Sequence, residues 1–105
     1  MIEQKFIKYA TCFHKYHQEN NISRANIYAK KLHLIKLELM RNNSCNEFLD
    51  NIMFCEIDMA RIWACGMCID LNYRKDDAIE ILKNLSKSKD EIICRDAKMS
   101  LNVRR

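Results

Sequence analysis

The sequence contains no proline and one glycine among its 105 residues. These two residue types build most tight turns and β-bulges, so a chain that nearly lacks them has few places for β-hairpins. A glycine-rich phosphate-binding loop is excluded for the same reason. Leucine, lysine, glutamate, methionine and alanine, which favour helices, are plentiful. The composition therefore predicts an all-α protein whose helices are joined by short polar turns.

Long apolar runs are also missing. No uncharged run approaches the roughly 18 residues that a membrane-spanning helix needs, and the first residues include Glu3 but no apolar segment typical of a signal peptide. We therefore expect a cytoplasmic protein without a membrane segment, formed as one domain over residues 1–105. Because thiols stay reduced in that compartment, we interpret the six cysteines as small buried apolar residues.

Apolar residues recur at steps of three and four along the chain, which is the period of an amphipathic helix. We predict six helices, over about residues 2–19, 23–40, 44–54, 57–71, 76–87 and from 88 onwards. Short turns between them give three antiparallel hairpins, which is the outline of a short HEAT-like α-solenoid or of a compact bundle. The fourth helix is apolar almost all round, so we expect it and its Trp63 to lie in the interior.

Serine residues mark three of the predicted helix starts. Ser23 precedes the second helix, and two Ser-x-x-Glu patterns, Ser44 with Glu47 and Ser88 with Glu91, precede the third and sixth. In such a capping box the serine oxygen accepts a hydrogen bond from a free amide of the first turn. We therefore predict these three serines as the N-caps.

The sequence has no complete motif for metal binding, redox chemistry or nucleophilic catalysis. Cys65 and Cys68 have the spacing of zinc and redox motifs, but a zinc site needs a second pair of ligands and a thioredoxin-like centre needs a preceding strand. His14 and His17 share a helix face without an adjacent acidic ligand. No nucleophile motif accompanies the histidines. We predict neither an enzyme nor a bound cofactor, and we leave a metal or redox role for the two cysteines open.

The net charge of +4 is placed unevenly, since residues 1–41 hold eight Lys/Arg and three Asp/Glu, while the remaining residues hold ten and eleven. A basic surface on the first two helices could bind nucleic acid. Its candidate residues are Lys5, Lys8, Lys15, Lys30, Lys31 and Lys36. The same lysines also occupy ordinary solvent-facing positions, so a plain solvated face is the competing interpretation.

An acidic segment spans the connection between the third and fourth helices, and its four acids have no basic residue among them before Arg61. Its members are Glu47, Asp50, Glu56 and Asp58. Such a segment could attract a basic partner. A structural interpretation competes, because Glu47 can complete a cap and Asp58 lies three residues from Arg61, within reach of a helical ion pair. We take these four as candidate partner-binding residues.

The second half of the chain resembles a family of small bacterial HEAT-like helical proteins without an assigned enzymatic activity. The resemblance covers roughly residues 56–103 and rests on Ala60-Arg61 with Ala64, Leu71-Asn72-Tyr73, Ala78-Ile79-Glu80-Ile81-Leu82, Leu85 and Ala97-Lys98-Met99-Ser100-Leu101. It implies a right-handed stack of antiparallel helices. Some proteins of this kind look like the immunity proteins of contact-dependent growth inhibition and other polymorphic toxin systems.

What this resemblance implies is a protein that binds one cognate toxin domain and blocks it. We therefore expect an immunity protein that covers a toxin domain, with a nuclease as the leading class, by steric occlusion. The acidic residues of the 47–58 segment would contribute to encounter and specificity. The alternative hypothesis is a helical-repeat protein that binds nucleic acid through the basic first two helices.

Overall fold

The computed structural model describes residues 2–43 and 45–103, which form six α-helices and no strand. The helices are α1 Ile2–Gln18, α2 Ile22–Arg41, α3 Cys45–Ile52, α4 Asp58–Asp70, α5 Lys75–Leu85 and α6 Glu91–Val103. The predicted all-α class and the predicted six helices are confirmed. The predicted cap Ser44 lies outside the described residues.

Three of the connections between helices contain an asparagine with a left-handed backbone. Asn20, Asn43 and Asn72 have φ angles of 58°, 55° and 53°. This left-handed region is costly for most residues, but asparagine visits it more readily because its short side chain bonds to the local backbone. A chain with a single glycine thus reverses direction by means of asparagine.

The cap of α2 differs from the predicted one. Asn21, not Ser23, accepts the hydrogen bond from the amide of Arg24, at 3.2 Å. Ser23 lies inside the helix, which begins at Ile22. The prediction was wrong because asparagine caps as well as serine does, and Asn21 is the residue next to the helix start.

The cap of α6 also differs from the predicted one. Asp90 Oδ1 accepts hydrogen bonds from the amides of Ile92, at 3.0 Å, and Ile93, at 3.2 Å. The predicted cap, Ser88, instead accepts a hydrogen bond from the amide of Asp90 itself, at 3.1 Å. The capping-box spacing was misleading here because the helix begins after Asp90, so its carboxylate is closest to the free amides.

The centre of the protein is α4, which contacts α1, α3, α5 and α6. Its buried residues are Met59, Ala60, Ile62, Ala64, Cys65, Gly66, Met67 and Cys68. The prediction of a buried fourth helix is therefore confirmed. The hairpins α1–α2 and α5–α6 pack against α4, and all three hairpins share one hydrophobic core.

The first and third hairpins touch, because α1 contacts α6 as well as α3 and α4. In a linear solenoid each repeat contacts only its neighbours. Of the two arrangements that the sequence left open, the compact bundle is the one observed. Within the described residues, every helix is too short or too polar to cross a lipid bilayer.

Trp63 is half-buried rather than enclosed. Its ring packs edge-on against Phe13 of α1, with centroids 5.5 Å apart, and against His33 of α2, at 5.3 Å. Trp63 thus links the first hairpin to α4. It stays partly open because α2 packs mainly against α1 and makes few contacts with α4 and α6.

Candidate partner-binding surfaces

The connection between α3 and α4 exposes two large apolar side chains. Phe54 is 55% exposed and Ile57 is 37% exposed. The third helix had been predicted to reach Phe54, but α3 ends at Ile52, so Phe54 lies beyond the helix. The last turn is held by Arg61, whose Nε donates a hydrogen bond to the carbonyl oxygen of Met53 at 3.1 Å. The sequence alone did not show this side-chain contact.

The four predicted acidic residues flank these apolar side chains in the sequence, and they fall into two classes. Glu47 and Glu56 are exposed, and neither has a hydrogen bond or an ion pair among the described residues. Asp58 lies 3.5 Å from Arg61, as the helical spacing predicted. Asp50 is tied to neighbouring side chains. The four acids and the two exposed apolar residues together are called the link surface: Glu47, Asp50, Phe54, Glu56, Ile57 and Asp58.

Arg74 fixes the link surface to α5. Its guanidinium donates hydrogen bonds to Asp50 Oδ1, at 3.1 Å, and to Asp77 Oδ2, at 3.0 Å. Tyr73 Oη donates a second bond to Asp50, at 2.7 Å. The hydrogen bonds from Tyr73 and then Arg74 lower the pKa of Asp50, so this carboxylate is charged at neutral pH. The guanidinium carbon lies 5.0 Å from the ring centroid of Phe54.

A second exposed apolar region is a groove of about 260 Å³ with α4 as its floor and α2 and α6 as its walls. It is lined by Phe13, His33, Lys36, Ile62, Trp63, Met67, Asp96, Met99, Ser100 and Val103. We call it the Trp63 groove. Its size is just below the roughly 300–1,000 Å³ of ordinary small-ligand pockets. Sequence reasoning missed it because its walls come from helices far apart in the chain.

The six lysines predicted as a nucleic-acid face occupy several different places in the structure. Lys15 lies over the ring of Tyr16, with Nζ 5.8 Å from the centroid, and Lys31 lies over Tyr9 at 5.4 Å. Lys5 lines the same depression as Lys31. Lys36 faces the Trp63 groove and pairs with Asp70 at 3.2 Å. Lys8 and Lys30 are exposed on the outer surfaces of α1 and α2.

Three tyrosines fill the seam between α1 and α2. The rings of Tyr16 and Tyr28 are nearly parallel, at 16°, with centroids 5.7 Å apart. Tyr9 and Tyr28 lie 6.0 Å apart. The guanidinium of Arg24 lies 5.6 Å from the Tyr16 centroid and donates to its hydroxyl at 3.4 Å. We name one set of residues the tyrosine seam: Tyr9, Tyr16, Tyr28, Lys15, Arg24 and Lys31.

The histidine pair of α1 has an acidic neighbour that the sequence could not reveal. His14 Nε2 lies 2.9 Å from Asp90 Oδ2, but the two groups are not aligned as a hydrogen bond. His17 Nδ1 lies 3.4 Å from an Arg95 nitrogen. Burial lowers the pKa of His17, and Arg95 and His14 act in the same direction, while Asp96 opposes them. Among the described residues no group of three or more potential ligands could hold a metal ion.

All six cysteines are free thiols. Cys45, Cys65 and Cys68 are buried, as their interpretation as small buried apolar residues predicts, whereas the other three are half-buried. Burial raises the pKa of Cys65 to about 12 and that of Cys68 to about 11. Nucleophilic attack and metal binding both require the thiolate. These two side chains therefore stay protonated at neutral pH.

No family model, curated protein sequence or solved structure matches the chain. The resemblance of residues 56–103 to HEAT-like immunity proteins therefore stays a prediction. Three surfaces are candidates for a binding function, namely the link surface, the Trp63 groove and the tyrosine seam.

Proposed function

We propose that the protein is an immunity protein that binds one bacterial toxin domain through the link surface and blocks it by steric occlusion. The observation that carries this proposal is the exposure of Phe54, at 55%, within an acidic stretch of the chain. Aromatic side chains are enriched among the residues that dominate binding energy at protein interfaces, and charged residues form the rim around them.

Electrostatics selects the kind of partner. Asp50 is charged, because the hydrogen bonds from Tyr73 and Arg74 lower its pKa, but it is ion-paired with Arg74. The side chains of Glu47 and Glu56 have no ion pair among the described residues. These carboxylates favour a basic surface on the toxin, such as the region bordering the active site of a nuclease. Charge complementarity of this kind raises association rates and rejects wrong partners. Since the whole chain carries a net charge of +4, it is suited to covering the rim of a nucleic-acid cleft rather than imitating the nucleic acid.

Preorganisation also supports the proposal. Arg74 is held by Asp50 and Asp77 and lies against Phe54. A side chain that is fixed before binding loses less conformational entropy in the complex. The ordered guanidinium beside Phe54 thus reduces the entropy that is lost when a partner covers this part of the link surface. That the partner is a toxin is inferred from the resemblance of residues 56–103 to HEAT-like immunity proteins.

Co-expression with the toxin domains encoded by adjacent genes tests the proposal. The expected result is rescued growth, together with a complex that survives affinity purification. Substituting Phe54→Ala and Glu56→Lys together should abolish both rescue and complex formation. Met99→Lys in the Trp63 groove is the matched control, because Met99 is 54% exposed, and this variant should still protect. Absence of protection against every adjacent toxin would refute the proposed function.

A further inference from the structure

We infer that the tyrosine seam binds single-stranded nucleic acid, an activity separate from the proposed toxin binding. The charge of the first two helices favours this ligand. Residues 1–41 contain eight Lys/Arg and three Asp/Glu. Of these cations only Lys36 has an ion-pair partner among the described residues, and it lies on the groove side of α2, away from the seam. Among the described residues the seam cations Lys15, Arg24 and Lys31 have no ion pair, and Glu38 is the acid that lines the depression shared by Tyr9 and Lys31.

Three of those cations also lie over aromatic rings. Lys15 and Arg24 both lie within 6 Å of the Tyr16 centroid, and Lys31 lies 5.4 Å from the Tyr9 centroid. Proteins that bind single strands combine cations, which neutralise phosphates, with aromatic rings, on which bases stack. The seam brings both kinds of group together along two adjacent helices.

The choice of a single strand follows from the shape of the seam. Its rings are half-buried between two side-by-side helices, so they form a shallow surface and not a projecting helix. A duplex hides the faces of its bases, and direct readout requires a helix or ribbon that enters the major groove. The bases of a single strand are free to stack on tyrosine. The seam therefore favours unpaired nucleotides over a duplex.

The tyrosine seam and the link surface lie on different helices. The seam belongs to α1 and α2, whereas the link surface belongs to the α3–α4 hairpin and is tied to α5 by Arg74. The two surfaces share no residue. A variant of either surface tests one activity without touching the other.

Fluorescence anisotropy with a labelled 15-nucleotide oligothymidine over a range of salt concentrations tests the inference. For single strands the logarithm of affinity falls with the logarithm of salt by about 0.7 per neutralised phosphate, so three seam cations predict a slope of about −2. Substituting Lys15→Gln and Lys31→Gln together should reduce that slope by about 1.4. The matched control, Lys83→Gln with Lys87→Gln, removes the same charge from exposed positions in and just after α5 and should leave the slope unchanged.

Tyrosine variants separate stacking from charge. Tyr9→Leu should weaken binding about tenfold, whereas Tyr9→Phe, which keeps the ring, should bind within about twofold of the parent. Thermal melting shows whether each variant is folded. If a tyrosine variant does not fold, the comparison of the two lysine-pair variants still tests the inference. Equal binding by the two lysine-pair variants, equal competition by duplex DNA or heparin, or no binding at low salt would each overturn the inference. A Phe54→Ala variant that loses the toxin but keeps the oligonucleotide would support it.

Discussion

The guanidinium carbon of Arg74 lies 5.0 Å from the ring centroid of Phe54, and Arg74 reaches that position with a left-handed backbone, φ 49°. For a residue other than glycine this conformation costs roughly 1–2 kcal/mol. Hydrogen bonds to Asp50 and Asp77 hold it in place. Strain of this kind persists where the surrounding contacts determine it, and it clusters at functional positions. It lies here beside the exposed aromatic residue of the link surface.

Two substitutions at Arg74 separate backbone strain from side-chain contacts. Arg74→Ala and Arg74→Gly lose the same hydrogen bonds to Asp50 and Asp77, but only glycine removes the steric cost of the positive φ. The glycine variant should therefore have a free energy of unfolding about 1 kcal/mol higher than the alanine variant. Urea denaturation measures the difference. Equal stabilities, or a more stable alanine variant, would show that position 74 is not strained.

The cap of α6 gives a second prediction. Asp90→Ala should reduce the free energy of unfolding by about 1 kcal/mol, because the amides of Ile92 and Ile93 lose their acceptor. Asp90→Asn should cost less, since asparagine also caps helices. Ser88→Ala should have the smallest effect. Thermal denaturation ranks the three variants, and a larger loss for Ser88→Ala than for Asp90→Ala would restore the capping box that the sequence predicted.

The helices could be predicted from the sequence, but the cap of α6 could not. Helical periodicity predicted six helices and a buried α4 because burial of an apolar stripe is encoded locally, in steps of three and four residues. The exact start of α6 depends on how the chain leaves α5, so the spacing of Ser88 and Glu91 selected the wrong cap. Contacts between distant segments are not encoded locally at all.

The candidate sites depend mainly on such distant contacts. The acidic residues of the link surface were predicted from sequence, but Phe54 was assigned to a helix, and the side chain that holds the end of α3 comes from Arg61. His14 and Asp90 lie 2.9 Å apart although 76 residues separate them. The Trp63 groove is lined by residues of α1, α2, α4 and α6, and no pattern within any one of these helices indicates it.

Stability should depend on pH through His17. Burial lowers the pKa of the folded imidazole below its ordinary 6.5. As the pH falls through 6.5, the unfolded chain takes up a proton that the folded chain does not, so the free energy of unfolding should fall. His17→Gln removes this titration and should flatten the dependence between about pH 7 and pH 5. Urea titrations at several pH values measure it, and an unchanged slope in the variant would contradict the assignment.

The thiols provide a test of the metal and redox alternative. Because burial raises the pKa of Cys65 to about 12 and that of Cys68 to about 11, both should resist a thiol reagent in the native protein at neutral pH. They should react fully after unfolding in urea. Mass spectrometry of the labelled peptides identifies the sites. Rapid native labelling of either residue, or stoichiometric zinc in protein purified under reducing conditions, would support a chemical role instead.

The affinity of the cognate toxin domain for two matched variants decides whether the link surface is the interface. Phe54 and Met99 are equally exposed, at 55% and 54%, but only Phe54 belongs to the link surface. Isothermal titration calorimetry should show that Phe54→Ala weakens binding by about 2 kcal/mol, roughly 30-fold. Met99→Ala should bind within about twofold of the parent chain, and the melting temperatures of both variants should stay close to that of the parent chain. Full affinity of Phe54→Ala, with a loss for Met99→Ala, would place the interface in the Trp63 groove and contradict the account.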